Sequence, residues 1–258
     1  MANLKLAADL AGLRLPFRSA LAAVADLGLS AVEVDARGEI RPGISRTAVR
    51  EIRKLLEDNR LQVASVAFRT RRGYADEDQL DRRVAGTKAA MDLAYALGAT
   101  VVVNHIGRVP PAESASSRLL RDVLADLGSY GARAGARLAV ETGQEGPDVL
   151  VGLLKTLPPG ELGVDLNPGR LLLAGHSPQE AIAQLAGSIV HVHLTDAERG
   201  TSPGEGTPVR LGRGHVDIPA LLGLLDETDF RGYYTVQPSP SADPLEEIRA
   251  AVAYLRRL

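Results

Sequence analysis

Two histidines, His191 and His193, stand two residues apart in the apolar, β-branched run Ile189-Val190-His191-Val192-His193-Leu194. Side chains on a strand alternate faces with a period of two, so both imidazoles point to the same side of whatever sheet this run joins. Imidazole ligates metals and exchanges protons near neutral pH, and two of the chain's five histidines on one strand face concentrate that capacity. Thr195 and Asp196 end the apolar pattern and a long Gly/Pro-rich loop comes next, which puts His193 at the C-terminal mouth of the strand. In parallel α/β proteins that mouth is where chemistry is found. The competing expectation is a pair of core histidines whose ring nitrogens are satisfied by buried hydrogen bonds.

The same position on other predicted strands carries further groups of this kind: His105 on the fourth, Glu141 on the fifth, Asp165 on the sixth and Gln237 on the eighth. Taken singly, Glu141 or Asp165 could cap the helix after it, and Gln237 could bond loop backbone. Their shared position makes them a set. Neighbouring strands lie about 4.8 Å apart, so such groups can converge on one ion, and oxygen ligands with one imidazole suit a divalent cation. The expectation is one divalent metal ion, Mn2+, Mg2+, Co2+ or Zn2+, held by Glu141, Asp165, His193 and Gln237, with positions open for substrate oxygens.

The elements that must position these residues emerge from periodicity and punctuation. Strands are expected at 4–9, 31–35, 62–68, 100–105, 137–141, 161–165, 189–194 and 232–237. Helices are expected at 16–28, 45–61, 78–97, 113–134, 147–157, 177–185, 218–227 and 243–258. Eight strand–helix units of roughly 30 residues, with no linker, match a closed α/β (β/α)8 TIM barrel, a single domain over residues 1–258. An open doubly wound sheet is the alternative, but such sheets usually carry a Gly-rich phosphate turn after an early strand, and this chain has none there. Gly212-Arg213-Gly214 stands before a helix and reads more simply as a loop turn than as a phosphate loop.

Composition removes other chemistries. The chain has no Cys, which excludes thiolate nucleophiles, zinc–thiolate sites and disulfides. Its four lysines, Lys5, Lys54, Lys88 and Lys155, fall in helices or at the wrong end of a strand, which disfavours a Schiff base. A net charge of -2 and 3% aromatic residues signal neither phosphate-backbone attraction nor base stacking, so nucleic acid is not an expected partner. Neither a signal peptide nor a membrane span is expected, and a cytoplasmic location is the default.

Across its whole length the chain resembles the xylose isomerase-like TIM-barrel superfamily, in particular its sugar epimerase and hydroxypyruvate isomerase-like branch. The matching pieces are Val140-Glu141-Thr142, Gly163-Val164-Asp165, the stretch from Val190 to Asp196, Gly204-Glu205-Gly206, Gly214-His215-Val216-Asp217-Ile218 and Gly232-Tyr233-Tyr234-Thr235-Val236-Gln237. The resemblance implies metal ligation by Glu141, Asp165 and His193, proton transfer by Glu141, and substrate contacts from Arg199, His105 and His191. It also implies a small carbohydrate or hydroxy-keto substrate and leaves a homo-oligomer open. Two positions depart from the pattern: Gln237 replaces the Glu that ends strand eight in the epimerases, and Pro168 replaces a His three residues after the strand-six Asp. The epimerases use two Glu residues as a pair of proton carriers, and an amide cannot take a proton near pH 7. The fold and the metal site therefore carry over better than the two-base reaction. A barrel that binds sugar or metal but has lost catalysis is the alternative. If Gln237 fills the fourth ligand position, Gln237→Glu should raise metal affinity.

Overall fold

In the computed structural model, which describes residues 4–143, 145–202 and 204–258, eight parallel strands close into a barrel. They are β1 (Leu6–Asp9), β2 (Ala31–Asp35), β3 (Gln62–Ala67), β4 (Val101–Asn104), β5 (Arg137–Glu141), β6 (Leu162–Leu166), β7 (Ile189–Leu194) and, after a hairpin, β10 (Tyr233–Val236). Closure is made by β1 pairing with β10, with Leu6 opposite Tyr234 and Ala8 opposite Val236. The strands between are wrapped by α1 (Phe17–Asp26), α2 (Arg46–Asp58), α3 (Leu80–Ala96), α4 (Ala115–Ala134) and α5 (Pro147–Leu154). The remaining helices are α6 (Pro168–Leu173), α7 (Pro178–Leu185), α8 (Ile218–Glu227) and α9 (Pro244–Leu255). No helix among the described residues is long and apolar enough to cross a membrane.

Local chemistry starts these helices where the sequence says it should. Ser45, Ser114 and Ser177 each accept a hydrogen bond from a backbone N–H three residues on, as do Asp217 and Asp243. Each satisfies one of the orphan donors of a first helical turn. Pro178 and Pro244 then occupy first-turn positions, where the missing N–H costs nothing. Val192 and Leu194 on β7 face outward and are fully buried under this helical layer, whereas His191 and His193 face the barrel interior.

Two features near the mouth differ from the expected elements. Helix α6 forms where a loop was expected, because Asn167 caps it by accepting from Arg170 N–H at 3.1 Å and Pro168 sits in the first turn. The Gly/Pro-rich loop after β7 contains an antiparallel hairpin, β8 (Asp196–Arg199) with β9 (Gly206–Val209). Asp196 organises the chain beyond this hairpin: its carboxylate accepts N–H bonds from Ala197, Gly212, Gly214 and Val216 at 2.8–3.0 Å. Any Cβ at Gly214 would collide with the Asp196 carboxylate and the Ala197 carbonyl, so glycine is required there by close approach. Gly212-Arg213-Gly214 is thus a turn bound to a carboxylate, as its place in a loop suggested.

Strand register lays out the interior. Asp9 lies opposite Glu33, Glu33 opposite Ser65, Glu141 opposite Asp165, Asp165 opposite His191, and His193 opposite Thr235. The β2–β3 register shifts at Val32/Glu33 and the β6–β7 register at Val164/Asp165. Irregularities of this kind re-aim side chains beside functional sites, and here each falls at a carboxylate.

Candidate active site and metal centre

Asp165 is the hinge of the buried polar cluster. Its Oδ1 accepts from His191 Nδ1 at 2.7 Å and its Oδ2 from His193 Nδ1 at 2.6 Å. Thr235 Oγ1 stands 2.8 Å from His191 Nε2 and Ser65 Oγ 3.1 Å from it, so both nitrogens of this fully buried ring already have partners. His191 lies below the tip layer as a satisfied core histidine. His193 Nε2 donates to Glu33 Oε1 at 3.0 Å, and Ser65 Oγ holds Glu33 Oε2 at 2.7 Å. If His193 holds a metal, a carboxylate on its other nitrogen would fix its orientation and basicity.

The electrostatics are set by burial against pairing. Burial alone would raise the Asp165 carboxyl, but the two imidazoles outweigh it and hold Asp165 well below the usual carboxylate range. Glu33 is held down likewise, with burial overcome by His193 and by Arg69. Burial disfavours charge on His193, yet Asp165 and Glu33 raise it well above an ordinary imidazole.

Glu141 occupies the tip of β5 with a fully buried side chain. Asn167 Nδ2 donates to its Oε1 at 2.8 Å, and Arg170 Nε lies 3.2 Å from the same oxygen. Its Oε2 makes no hydrogen bond, although Arg69 Nε stands 3.5 Å away and His105 Nδ1 3.3 Å away. Arg69 also brings Nη2 to 3.4 Å from Glu33 Oε1 and 3.2 Å from His193 Nε2. One guanidinium thus spans Glu33, His193 and Glu141.

Ligand atoms of Glu141, Asp165 and His193 lie within 4.8 Å of one another. Two carboxylates and an imidazole are a donor set for a divalent cation, and the buried, unpartnered Oε2 of Glu141 is the kind of acceptor a metal would satisfy. The residue types fit the group, and an ion there would take the place of the proton between His193 Nδ1 and Asp165 Oδ2. Glu33, His191 and His193 form a second cluster of the same compactness, but it holds one carboxylate against two in the first, and both nitrogens of its His191 are bonded.

The structure distributes the other expected residues around this cluster. His105 lies just after β4 and reaches Glu141 and, at 3.3 Å, Arg170 Nη1. Arg199 ends β8 in an exposed position and gives only its backbone N–H, to His215 Nδ1, among the bonds of the described residues. The arginines at the cluster are Arg69 and Arg170. Gln237 stands just past β10, where its amide Nε2 donates to Asp9 Oδ2 at 3.1 Å. Asp9, Glu33, Arg69, Asn167 and Arg170 escaped the sequence reading. Glu33 and Asp9 carried a usable signal, a charged residue inside or ending an apolar strand, while Arg69 simply comes after β3 and carried none.

Residues 21–258 match the family model described as xylose isomerase-like TIM barrel. The chain belongs to the xylose isomerase-like TIM-barrel family. Among solved structures, a xylose isomerase domain protein from Planctomyces limnophilus superposes with a TM-score of 0.88 at 25% identity, covering 98% of this chain and 96% of that one. A xylose isomerase-like TIM barrel protein from Mycobacterium smegmatis in complex with magnesium gives 0.80 at 21%, covering 99% and 96%. A D-psicose 3-epimerase in the presence of D-fructose gives 0.79 at 16%, covering 98% and 99%. No protein of curated function matches by sequence.

Two predictions arise from the rim of this site. In Gln237→Glu a second carboxylate would face Asp9 Oδ2, whose carboxyl is already pushed up by burial and by Glu33. Two carboxylates at that distance cannot both ionise. The variant should lose about 1–3 kcal/mol at pH 8, recover toward pH 5, and gain no metal affinity. A tenfold gain in Mn2+ affinity by titration would mean that Gln237 turns to the metal. Glu39, whose Oε2 accepts from Asp35 N–H at 2.8 Å, is pushed from 4.5 up to about 7, chiefly by burial, with Asp9 and Asp35 adding to it. Because its folded value is raised, the wild type keeps its full stability below about pH 4.5 and loses it as pH rises through 7. Glu39→Gln should therefore match wild type at pH 4.5 and exceed it at pH 8 by on the order of 1–2 kcal/mol, allowing for solvent screening. Urea midpoints at the two pH values test this, and an equal difference at both would refute it.

Proposed function

We propose that the chain is a divalent-metal-dependent isomerase of a small sugar or hydroxy-keto compound, with Glu141 moving the proton on the carbon beside the carbonyl. The observation that carries this reading is the buried carboxylate of Glu141, whose Oε2 makes no hydrogen bond, grouped with Asp165 and His193 so that ligand atoms of the three lie within 4.8 Å of one another. Relatives of the same fold support it, since one is a D-psicose 3-epimerase and another holds magnesium. Glu141, Asp165 and His193 would hold the metal, which when bound would polarise a carbonyl and its neighbouring hydroxyl.

The chain's own residues divide the remaining work. Asn167 holds Glu141 Oε1 at 2.8 Å and so orients the carboxylate that takes and returns the proton. Glu33 and Asp165 clamp His193 from both sides. Epimerisation needs a second base on the opposite face of the substrate, and Gln237 cannot be one. A proton shift between adjacent carbons on one face needs one carbon base, Glu141, while the hydroxyl proton passes to the former carbonyl oxygen, which favours isomerisation over epimerisation. A barrel that binds its ligand without turnover is the second reading, favoured by the closure of Arg69, Arg170 and His105 over Glu141.

Incubating candidate hydroxyaldehydes and hydroxyketones in D2O with Mn2+ decides between the two. Deuterium entering beside the carbonyl, lost with EDTA and reduced at least about 100-fold in Glu141→Gln, is the expected result. Proven binding with no deuterium would establish the second reading.

A further inference from the structure

The cavity lined by Asn167 and Arg170, the two residues that hold Glu141 Oε1, carries a charge pattern which the metal cluster does not explain. It has a volume of about 440 Å3 and runs from Asn167 and Arg170 across the tips of β7 and β10 to Gly12 and Arg14 in the turn after β1. That volume suits a small metabolite. Leu173, Val209 and Pro238 form apolar wall, and Gln237, Thr195 and Ser239 offer neutral polar groups. The ionisable lining consists of two guanidiniums, Arg14 and Arg170, and two carboxylates, Asp9 and Asp196.

The carboxylates are committed elsewhere. Both oxygens of Asp196 are consumed by four backbone N–H groups. Asp9 accepts from Gly12 N–H at 3.2 Å through Oδ1 and from Gln237 at 3.1 Å through Oδ2. The guanidiniums are less fully engaged. Arg14 Nη2 donates to the Ser241 carbonyl at 2.6 Å, and among the described residues no carboxylate pairs with it. Arg170 gives Nε to Glu141 and Nη1 to His105, which directs the guanidinium between the cavity and the proton-moving carboxylate.

The backbone holds Arg14 in this place at some cost. Its φ of 56° is left-handed because Arg14 caps the one-turn 3-10 helix Ala11–Leu13, its N–H bonding the Ala11 carbonyl at 3.2 Å. The turn is pressed against the loop after β10, where a Cβ on Gly12 would approach Pro238 to 2.8 Å.

The geometry points to a substrate that carries an anionic group, a carboxylate or a phosphate, bound between Arg14 and Arg170 with its reacting carbons toward Glu141. Planar guanidinium forks match both oxyanions, and charge-assisted bonds of this kind are the strong ones. Arg170 touches both the anion site and Glu141, so it sets the distance between anionic end and reacting carbon. The inference rests on the proposal that the barrel mouth is the substrate site, and it names the substrate class.

Calorimetric titration of the Mn2+-loaded protein with glycerol 3-phosphate, glycerate and glycerol isolates the terminal group, since the three share a three-carbon frame. At least one of the anions should bind tenfold or more tightly than glycerol, and the tighter one identifies phosphate or carboxylate as the source. Arg14→Met should cut that preference at least threefold, with Arg170 supplying what remains, Arg14→Lys should keep more of it, and raising NaCl should weaken it. Equal binding of all three, or an anion preference undiminished in Arg14→Met with an unchanged melting temperature, would overturn the inference. Deuterium exchange into neutral ketoses without any anion preference would leave the isomerase reading intact and this one refuted. Anion preference without exchange on any substrate would do the reverse.

Discussion

Asp165→Ala is expected to cost about 3–5 kcal/mol of stability even without metal, because it breaks two buried charge-assisted pairs at once. The bonds lost are those to His191 and His193 at 2.7 and 2.6 Å, in a place where all three side chains are fully buried. His193 would keep Glu33 as its only carboxylate partner, and His191 Nδ1 would keep none. For a chain of this length, that loss corresponds to a melting temperature lower by roughly 10 °C. Thr235→Val, which removes only a hydroxyl from His191 Nε2, should cost about 1 kcal/mol and serves as the comparison. The same Asp165 variant should also lose the melting-temperature rise that Mn2+ gives the wild type. A metal-free loss below about 1 kcal/mol would mean that the two imidazoles do not depend on this carboxylate.

Arg69→Met removes the cation that spans Glu33, His193 and Glu141. Two fully buried glutamates then face each other across an apolar thioether, and the expected cost is again about 3–5 kcal/mol in metal-free protein. Methionine keeps much of the stem's packing, so the change reports on charge rather than on a cavity. A divalent ion placed against Glu141 supplies the positive charge that was removed. In wild type, Mn2+ at about 100 times its Kd should add roughly 2.7 kcal/mol. In Arg69→Met the rise in melting temperature at the same Mn2+ concentration should be larger, because the metal no longer shares Glu141 with a guanidinium. Thermal melts of both proteins with EDTA and with Mn2+ provide the check. A variant as stable as wild type in EDTA would show that Arg69 does not balance the carboxylates.

What could be read from the chain alone was whatever repeats locally. The eight barrel strands and most of their helices announced themselves by periodicity, and several helices by serine or aspartate caps, whereas α6 and the β8–β9 hairpin did not; eight units in order left the closed barrel as the economical arrangement. The strand tips were legible with them, since a residue that ends an apolar run in such a barrel must lie at its mouth. Glu141, Asp165 and His193 were picked out as candidates for that reason, and register brings Glu141 opposite Asp165. His191 was legible only as a residue on the same face. That it is saturated by Asp165, Thr235 and Ser65 depends on three other strands.

Tertiary structure alone decided which charges meet across the barrel. Glu33 and His193 are 160 residues apart and bond at 3.0 Å because closure through β1 and β10 brings β2 round to face β7. Arg69 reaches Glu33, His193 and Glu141 from a loop end with no periodicity of its own, and nothing in its neighbourhood in sequence marks it. Gln237 is the sharpest case. Its residue type was visible as a departure from the resemblance, but its partner was not, because an amide can serve a metal, a backbone group or a carboxylate equally well. Only the packing of the β10 tip against the β1 tip gives it Asp9. Local pattern fixes where a side chain starts, whereas the contacts of a long polar side chain depend on strands that are distant in sequence and become neighbours only on closure.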